Sequence, residues 1–228
     1  LSVPNAQLWS LDSPALHTAR VRAMRGGEVV DEKSLRFGFR TVRFENDGFY
    51  LNGQRIKLRG LNRHQSYAYV GYAMPKSVQE LDAEILKNEL GVNAVRTSHY
   101  PQSQHFISRC DELGLLVFTE IPGWQHIGDE DWKQQAVKNT DEMVRQYMHH
   151  PSIMLWGVRI NESQDCDELY RRTNAVAHTL DSGRQTSGVR YLEKSHLLED
   201  VYAYNDFSHT GDNAGLKAKK NVTSKKHR

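Results

Sequence analysis

From residue 56 onward the chain repeats one pattern six times: a short apolar run, followed in most intervals by a stretch with helical signals. The apolar runs are 56–60, 92–97, 115–120, 153–160, 185–190 and 201–204. Strands that alternate with helices imply a parallel sheet, because two neighbouring parallel strands need a long crossover between them. The first predicted helix has a capping box in Ser77-Val78-Gln79-Glu80, an apolar stripe in Leu81, Ile85 and Leu86, and Gly91 just past its end. A second carries Phe106, Ile107, Cys110 and Leu113 and stops at Gly114; a third spans about 131–149, before Pro151; a fourth spans about 165–180.

Before residue 46 the pattern is different. Thr18 to Met24 alternates with a period of two, Gly26-Gly27 follows, and Val29-Val30 and Arg40 to Phe44 supply further short runs. This predicts antiparallel strands, and three or so strands are too few for an independent sandwich. The expected division is therefore the end of a β domain at 1–46 and an α/β barrel at 47–228, the change falling at Asn46-Asp47-Gly48. A complete (β/α)8 barrel takes about 250 residues, so this one is expected to be incomplete.

Composition bounds the function classes. Six of the 30 Lys and Arg residues (Lys217, Lys219, Lys220, Lys225, Lys226, Arg228) lie beyond the last acid, Asp212, which leaves 24 against 28 acids in the remainder. A mildly acidic body argues against a nucleic-acid partner, which needs a basic face on the fold itself. Cys110 and Cys166 both fall in predicted helices without metal-ligand spacing, so no disulfide framework or zinc site is indicated. No stretch approaches 18 apolar residues, and Leu1-Ser2-Val3-Pro4 lacks a signal pattern, so no membrane partner is expected and the chain reads as soluble, its compartment unread.

In a parallel barrel the site forms where the strands end, so polar residues that abruptly close an apolar strand are the candidates. Five runs close this way, with Asn62-Arg63-His64, with Arg96-Thr97-Ser98-His99, with Glu120, with Asn161-Glu162 and with Tyr204-Asn205. Glu162 is the sharpest, a carboxylate preceded by an amide at the end of a long apolar strand. On the residues alone, catalysis and a helix N-terminal acid stabilised by the macrodipole both stay open.

Four segments then resemble glycoside hydrolase family two, the β-galactosidase and β-glucuronidase family. They are Tyr50 to His64 (YLNGQRIKLRGLNRH), Gly91 to Pro101 (GVNAVRTSHYP), Cys110 to Glu120 (CDELGLLVFTE) and His150 to Ser163 (HPSIMLWGVRINES), in the family's order. The resemblance implies a TIM-type barrel, with about six of its strands present, preceded by the last strands of an immunoglobulin-like β-sandwich. It implies a retaining glycosidase with a carbohydrate substrate, terminal β-D-galactosides first and β-glucuronides second. Glu162 matches the general acid/base and Asn161 the amide that bonds the sugar 2-hydroxyl. His64 and His99 match glycone-contacting histidines, Tyr204 a pocket tyrosine, and Arg96 a cation near the nucleophile. Glu120 is either a hydrogen-bonding pocket wall or a structural partner of Arg96. Trp124 is the better sugar platform; Trp156, inside a strand, reads as core. A bacterial cytoplasmic or periplasmic setting is compatible with the family.

The resemblance also implies a nucleophilic Glu closing strand seven, several tens of residues after the acid/base. No acid follows Asp212, so that residue is expected outside this chain, which alone is expected to be inactive. Its open strand edge would need a second copy or a complementing C-terminal segment. Some members bind magnesium in the loop after strand three; here Trp124 stands where the carboxylate ligand would be expected, so no metal or other cofactor is assigned. Two competing readings are a metal-dependent hydrolase using His64, His99, His126 and Glu120, and a noncatalytic sugar-binding scaffold. The first lacks a paired His-x-His and a helical HExxH.

Overall fold

The computed structural model describes residues 3–191 and 195–206; the basic tail at 217–228 lies outside these. Two antiparallel strands open the chain, β1 (His17–Arg25) and β2 (Glu28–Phe37), joined at Gly26 and Gly27, whose φ angles of 57° and 88° suit glycine. A separate three-stranded antiparallel sheet follows, β3 (Val42–Glu45), β4 (Gly48–Leu51) and β5 (Gln54–Ile56). Its second turn is Asn52-Gly53, both at positive φ, the chemistry of a tight hairpin.

The remaining strands are β6 (Gly60–Arg63), β7 (Ala94–Thr97), β8 (Leu116–Glu120), β9 (Ile153–Gly157), β10 (Thr186–Arg190) and β11 (Val201–Tyr204). They pair in chain order in one sheet, six of the eight strands of a (β/α)8 barrel. The helices between them are α1 (Lys76–Glu84), which runs into a π-helical turn at Ile85–Glu89, then α2 (Gln104–Leu113), α3 (Glu130–Tyr147) and α4 (Asp167–Leu180). Every residue of β8 and β9 is buried, as parallel strands covered on both faces require.

Contacts cluster into two compact units, one made of 1–96, 102–117 and 146–154, the other of 97–101, 118–145 and 155–228. In the first, Trp9 is fully buried and donates from Nε1 to the Asp111 carbonyl at 2.7 Å. Arg40 donates to the carbonyls of Pro151 and Ile153 at 2.8 and 2.6 Å. Arg63 is the polar centre of this unit. Its guanidinium, only 6% exposed, bonds Asp82 and Gln79 at 2.7 and 2.8 Å, also bonds Gln102, and lies 4.0 Å from the Phe106 ring centroid. Buried charge is tolerated here because every direction of the planar fork finds an acceptor or a π-face.

Three sequence expectations need correction. The first barrel strand is 60–63, not 56–60; residues 57 and 59 are held instead by the Asn93 side chain, which bonds the Lys57 carbonyl and the Arg59 N–H at 3.0 and 2.8 Å. The box at Ser77 does not cap α1. That helix starts at Lys76 behind Pro75, whose carbonyl already accepts from Val78 and Gln79. Nor is Leu81 on the buried stripe: it is exposed, and Gln79, Ala83 and Leu86 are buried, because Gln79 turns inward to Arg63. The Gly114 stop is as expected, at φ 68° in the left-handed region.

Candidate active site

The second unit contains the carboxyl ends of β7, β8 and β9 together with β10 and β11. Ladder pairing of β9 ends at Gly157, yet residues 158–161 stay buried and lead straight to Glu162. There the backbone turns sharply: Glu162 has φ 56°, a left-handed conformation that costs a non-glycine residue on the order of 1 kcal/mol or more. Its N–H donates to the Val189 carbonyl of β10 at 2.9 Å, and the Ser163 N–H closes the turn on the Ile160 carbonyl at 3.2 Å, so the adjacent strand and the turn's own bond hold it in place. The side chain is thereby carried off the strand and left half-buried.

The loop after β8 closes on the same point. Gly123 donates to the His99 carbonyl at 3.3 Å, and a Cβ there would meet Ile160 Cδ1 at 2.8 Å, so the isoleucine tip would have to shift. Trp124 forms a parallel bridge with Asn161, and the Gln125 N–H donates to the Asn161 carbonyl at 2.7 Å. Trp124 Nε1 and Gln125 Nε2 then both donate to Glu162 Oε2, at 2.9 and 3.0 Å. Asn205, just past β11, donates from Nδ2 to Glu162 Oε1. All three partners are uncharged amide or indole N–H groups.

His99 Nδ1 lies 3.4 Å from Oε2 of Glu120, a carboxylate only 1% exposed at the end of β8. At the end of β10, Arg190 is fully buried and bonds Glu199, the carbonyls of Gly188 and His196, and Ser195 Oγ. Arg159, 1% exposed, bonds Asp165 at 2.6 Å and sits 4.4 Å from the Tyr170 ring centroid. Burial alone would raise the Asp165 carboxyl, but hydrogen bonds from Ser195, Arg159 and the His196 backbone outweigh it and hold it below its ordinary value. The Tyr170 phenol is pushed up to about 12, chiefly by burial.

Of the sequence candidates, Glu162, Asn161 and Trp124 meet directly, and His99 meets Glu120. Trp124 is 61% exposed, while Trp156 is fully buried with Nε1 bonded to Asp181 at 3.1 Å. Tyr204 is half-buried, and its hydroxyl lies 3.5 Å from Asp206. His64 and Arg96 belong to the first unit: His64, exposed, follows β6, and Arg96 is the half-buried third residue of β7. Sequence reasoning missed Gln125 and Asn205 as partners of Glu162. A glutamine in a loop has no periodic signal; Asn205 was visible only as a polar residue closing a strand. Among the described residues, no group of three or more His, Cys, Asp or Glu side chains gathers as metal ligands would.

Known proteins resemble this chain over most of its length. Residues 42–227 match the family described as "Glycosyl hydrolases family 2, TIM barrel domain", and residues 1–40 match "Glycosyl hydrolases family 2". The chain is 58% identical over 226 residues to a β-galactosidase of Thermoanaerobacterium thermosulfurigenes, covering 99% of this chain and 31% of that protein. Among solved structures it is similar to an apo β-glucuronidase 3 of Bacteroides uniformis (TM-score 0.80, 37% identity, 89% of this chain and 27% of that one). It is also similar to an FMN-binding β-glucuronidase of Facaelibacterium prausnitzii L2-6 (TM-score 0.83, 34% identity, 90% and 34%). The chain thus spans about a third or less of each of these three proteins.

Proposed function

Because the chain belongs to glycosyl hydrolase family 2, we propose that it carries the acid/base half of a retaining β-glycosidase site for terminal β-D-galactosides. In this reading residues 1–46 close the immunoglobulin-like sandwich and the catalytic barrel begins at residue 47. A retaining mechanism uses two carboxyl groups about 5 to 5.5 Å apart. Glu162 protonates the leaving glycosidic oxygen while a second carboxylate takes the anomeric carbon; Glu162 then takes a proton from the water that releases the sugar. The second carboxylate belongs to the part of such enzymes that this chain does not span.

Asn161 bonds the sugar 2-hydroxyl, His64, His99 and Tyr204 contact the glycone, Arg96 keeps the nucleophile ionised, Glu120 orients His99, and the Trp124 ring packs on a pyranose face. The observation that supports this reading is the convergence of Trp124, Gln125 and Asn205 on one strand-end carboxylate. A helix-capping acid would instead accept from its own helix's backbone N–H groups.

The test uses the full-length protein carrying Glu162→Ala. Loss of a general acid should cost about 10²- to 10⁴-fold on alkyl β-galactosides. A dinitrophenyl β-galactoside, whose leaving group needs no proton, should still form the glycosyl-enzyme, and azide should speed its release. A uniform loss on every aglycone, with no azide effect, would remove Glu162 from the role. A second reading, hydrolysis of β-glucuronides, is favoured by the names of the similar solved structures. Nitrophenyl β-galactoside and β-glucuronide assayed side by side decide between them.

A further inference from the structure

The two oxygens of the Glu162 carboxyl are not equivalent. A carboxylate oxygen has two in-plane lone pairs. On Oε2 both are taken, by Trp124 Nε1 and Gln125 Nε2. Neither donor can yield easily, because Trp124 is bridged to Asn161 and Gln125 is bonded through its own N–H to the Asn161 carbonyl, the residue next to Glu162. Among the described residues Oε1 accepts from one group alone, Asn205 Nδ2, so these residues supply two donors to Oε2 and one to Oε1.

Resting on the reading of Glu162 as acid/base, we infer that its mobile proton is carried by Oε1, and that Asn205 is the positioning residue that aims this oxygen. A proton on Oε2 would have to displace a preorganised N–H donor; on Oε1 it displaces no donor among the described residues. In the first half-reaction the Oε1 proton passes to the glycosidic oxygen, which keeps the electron pair of its broken bond to the anomeric carbon. A second carboxylate of the full-length enzyme bonds that carbon. Glu162 becomes an anion just as three fixed N–H donors can hold it, so charge develops where dipoles already point. In the second half Oε1 takes a proton from water while the water oxygen displaces the carboxylate.

Asn205 is itself held: its N–H donates to the Arg190 carbonyl at 2.8 Å, and the Arg190 side chain is locked to Glu199. Among the described residues, the titratable and charged groups on the flanking strand ends include His99 and Glu120, bonded to each other, Tyr204 and Asp206, 3.5 Å apart, and the Arg159–Asp165 and Arg190–Glu199 pairs. Asn205 is therefore the side chain best placed to change the behaviour of Oε1 alone.

The experiment is made on the full-length enzyme. Asn205→Leu should lose about tenfold or more in kcat/KM on alkyl β-galactosides, yet stay within about threefold of the parent on a dinitrophenyl β-galactoside. Asn205→Asp sets a second carboxylate beside Oε1 and should move the basic limb of the kcat/KM profile up by about one pH unit. Neutron diffraction of crystals grown in heavy water on the acid side of the profile should place deuterium on Oε1. Deuterium on Oε2, or an equal loss on both aglycones in a variant whose urea midpoint matches the parent's, overturns the assignment. If Glu162→Ala itself lacks any dependence on leaving group, the acid/base reading falls and this inference with it. If that variant behaves as an acid knockout and the Asn205 variants do not, the inference alone fails.

Discussion

Replacing Gly157 with alanine probes the spacing between the two strands that carry Glu120 and Glu162. Gly157 is the last residue of β9, and its carbonyl accepts the Ile121 N–H at 2.9 Å. A Cβ there would lie 2.6 Å from Glu120 Cγ, 2.8 Å from Glu120 Cα and 2.8 Å from the Thr119 carbonyl oxygen, against an ordinary contact limit of 3.4 Å. The Glu120 side chain could swing aside, but Cα and the carbonyl are backbone, so β8 and β9 would have to part by about 0.6 Å. Overpacking of this kind costs about 1–3 kcal/mol. The stiffer unfolded chain of an alanine variant returns at most about 1 kcal/mol of it. The net loss, about 1–2 kcal/mol, should lower the urea midpoint by that energy divided by the denaturant slope, which grows with the surface exposed on unfolding. Because Glu162 lies five residues beyond Gly157, a shift of half an ångström in its approach should cost about tenfold in kcat/KM, given that about 1 Å costs 100-fold. Urea unfolding and initial rates on a nitrophenyl β-galactoside, both on full-length protein, measure the two effects. An unchanged midpoint together with full activity would show that the strands are not held at this distance.

Two further outcomes follow from side chains already described. Trp124→Phe keeps the exposed ring but removes the N–H on Glu162, and a hydrogen bond to a charged group is worth about 1.5 kcal/mol, so kcat should fall about tenfold with little change in KM. Trp124→Ala should raise KM as well; identical KM values for both variants would deny the ring a platform role. Acid should destabilise the fold through Asp165 and Asp181. Burial opposes ionisation of Asp181, but the charge and hydrogen bonds of Arg184 and the Trp156 indole outweigh it, and both carboxyls sit below their ordinary values. Each binds its proton more weakly folded than unfolded, so its contribution is complete above about pH 5 and is lost as pH falls through about 4 and below. Thermal midpoints recorded between pH 6 and 3 should fall accordingly, and Asp181→Asn should flatten the decline; an unaltered slope would exclude Asp181 as a contributor.

The strand–helix alternation and the apolar runs determined that the sheet would be parallel, because no other arrangement buries such runs on both faces while crossover helices intervene. The same one-dimensional information located Asn161 and Glu162, since a polar pair that ends a buried strand stands out in any register. It also marked Gly114, where the chain needs a left-handed residue. Element starts were less legible: α1 begins one residue ahead of its apparent box because the Pro75 carbonyl, not a serine hydroxyl, satisfies the first donors.

What only the tertiary structure decided is the second half of each interaction. Arg63 reads as one more polar residue at a strand end until Asp82, Gln79, Gln102 and Phe106 close round it. Gln125 and Asn205 are ordinary amides in sequence, 37 residues before and 43 residues after Glu162, and become its partners because parallel pairing brings the ends of successive strands side by side. Periodicity records which face of an element is buried; it holds no record of which distant donor a carboxylate will meet, because that pairing is set by strand register and loop closure in three dimensions.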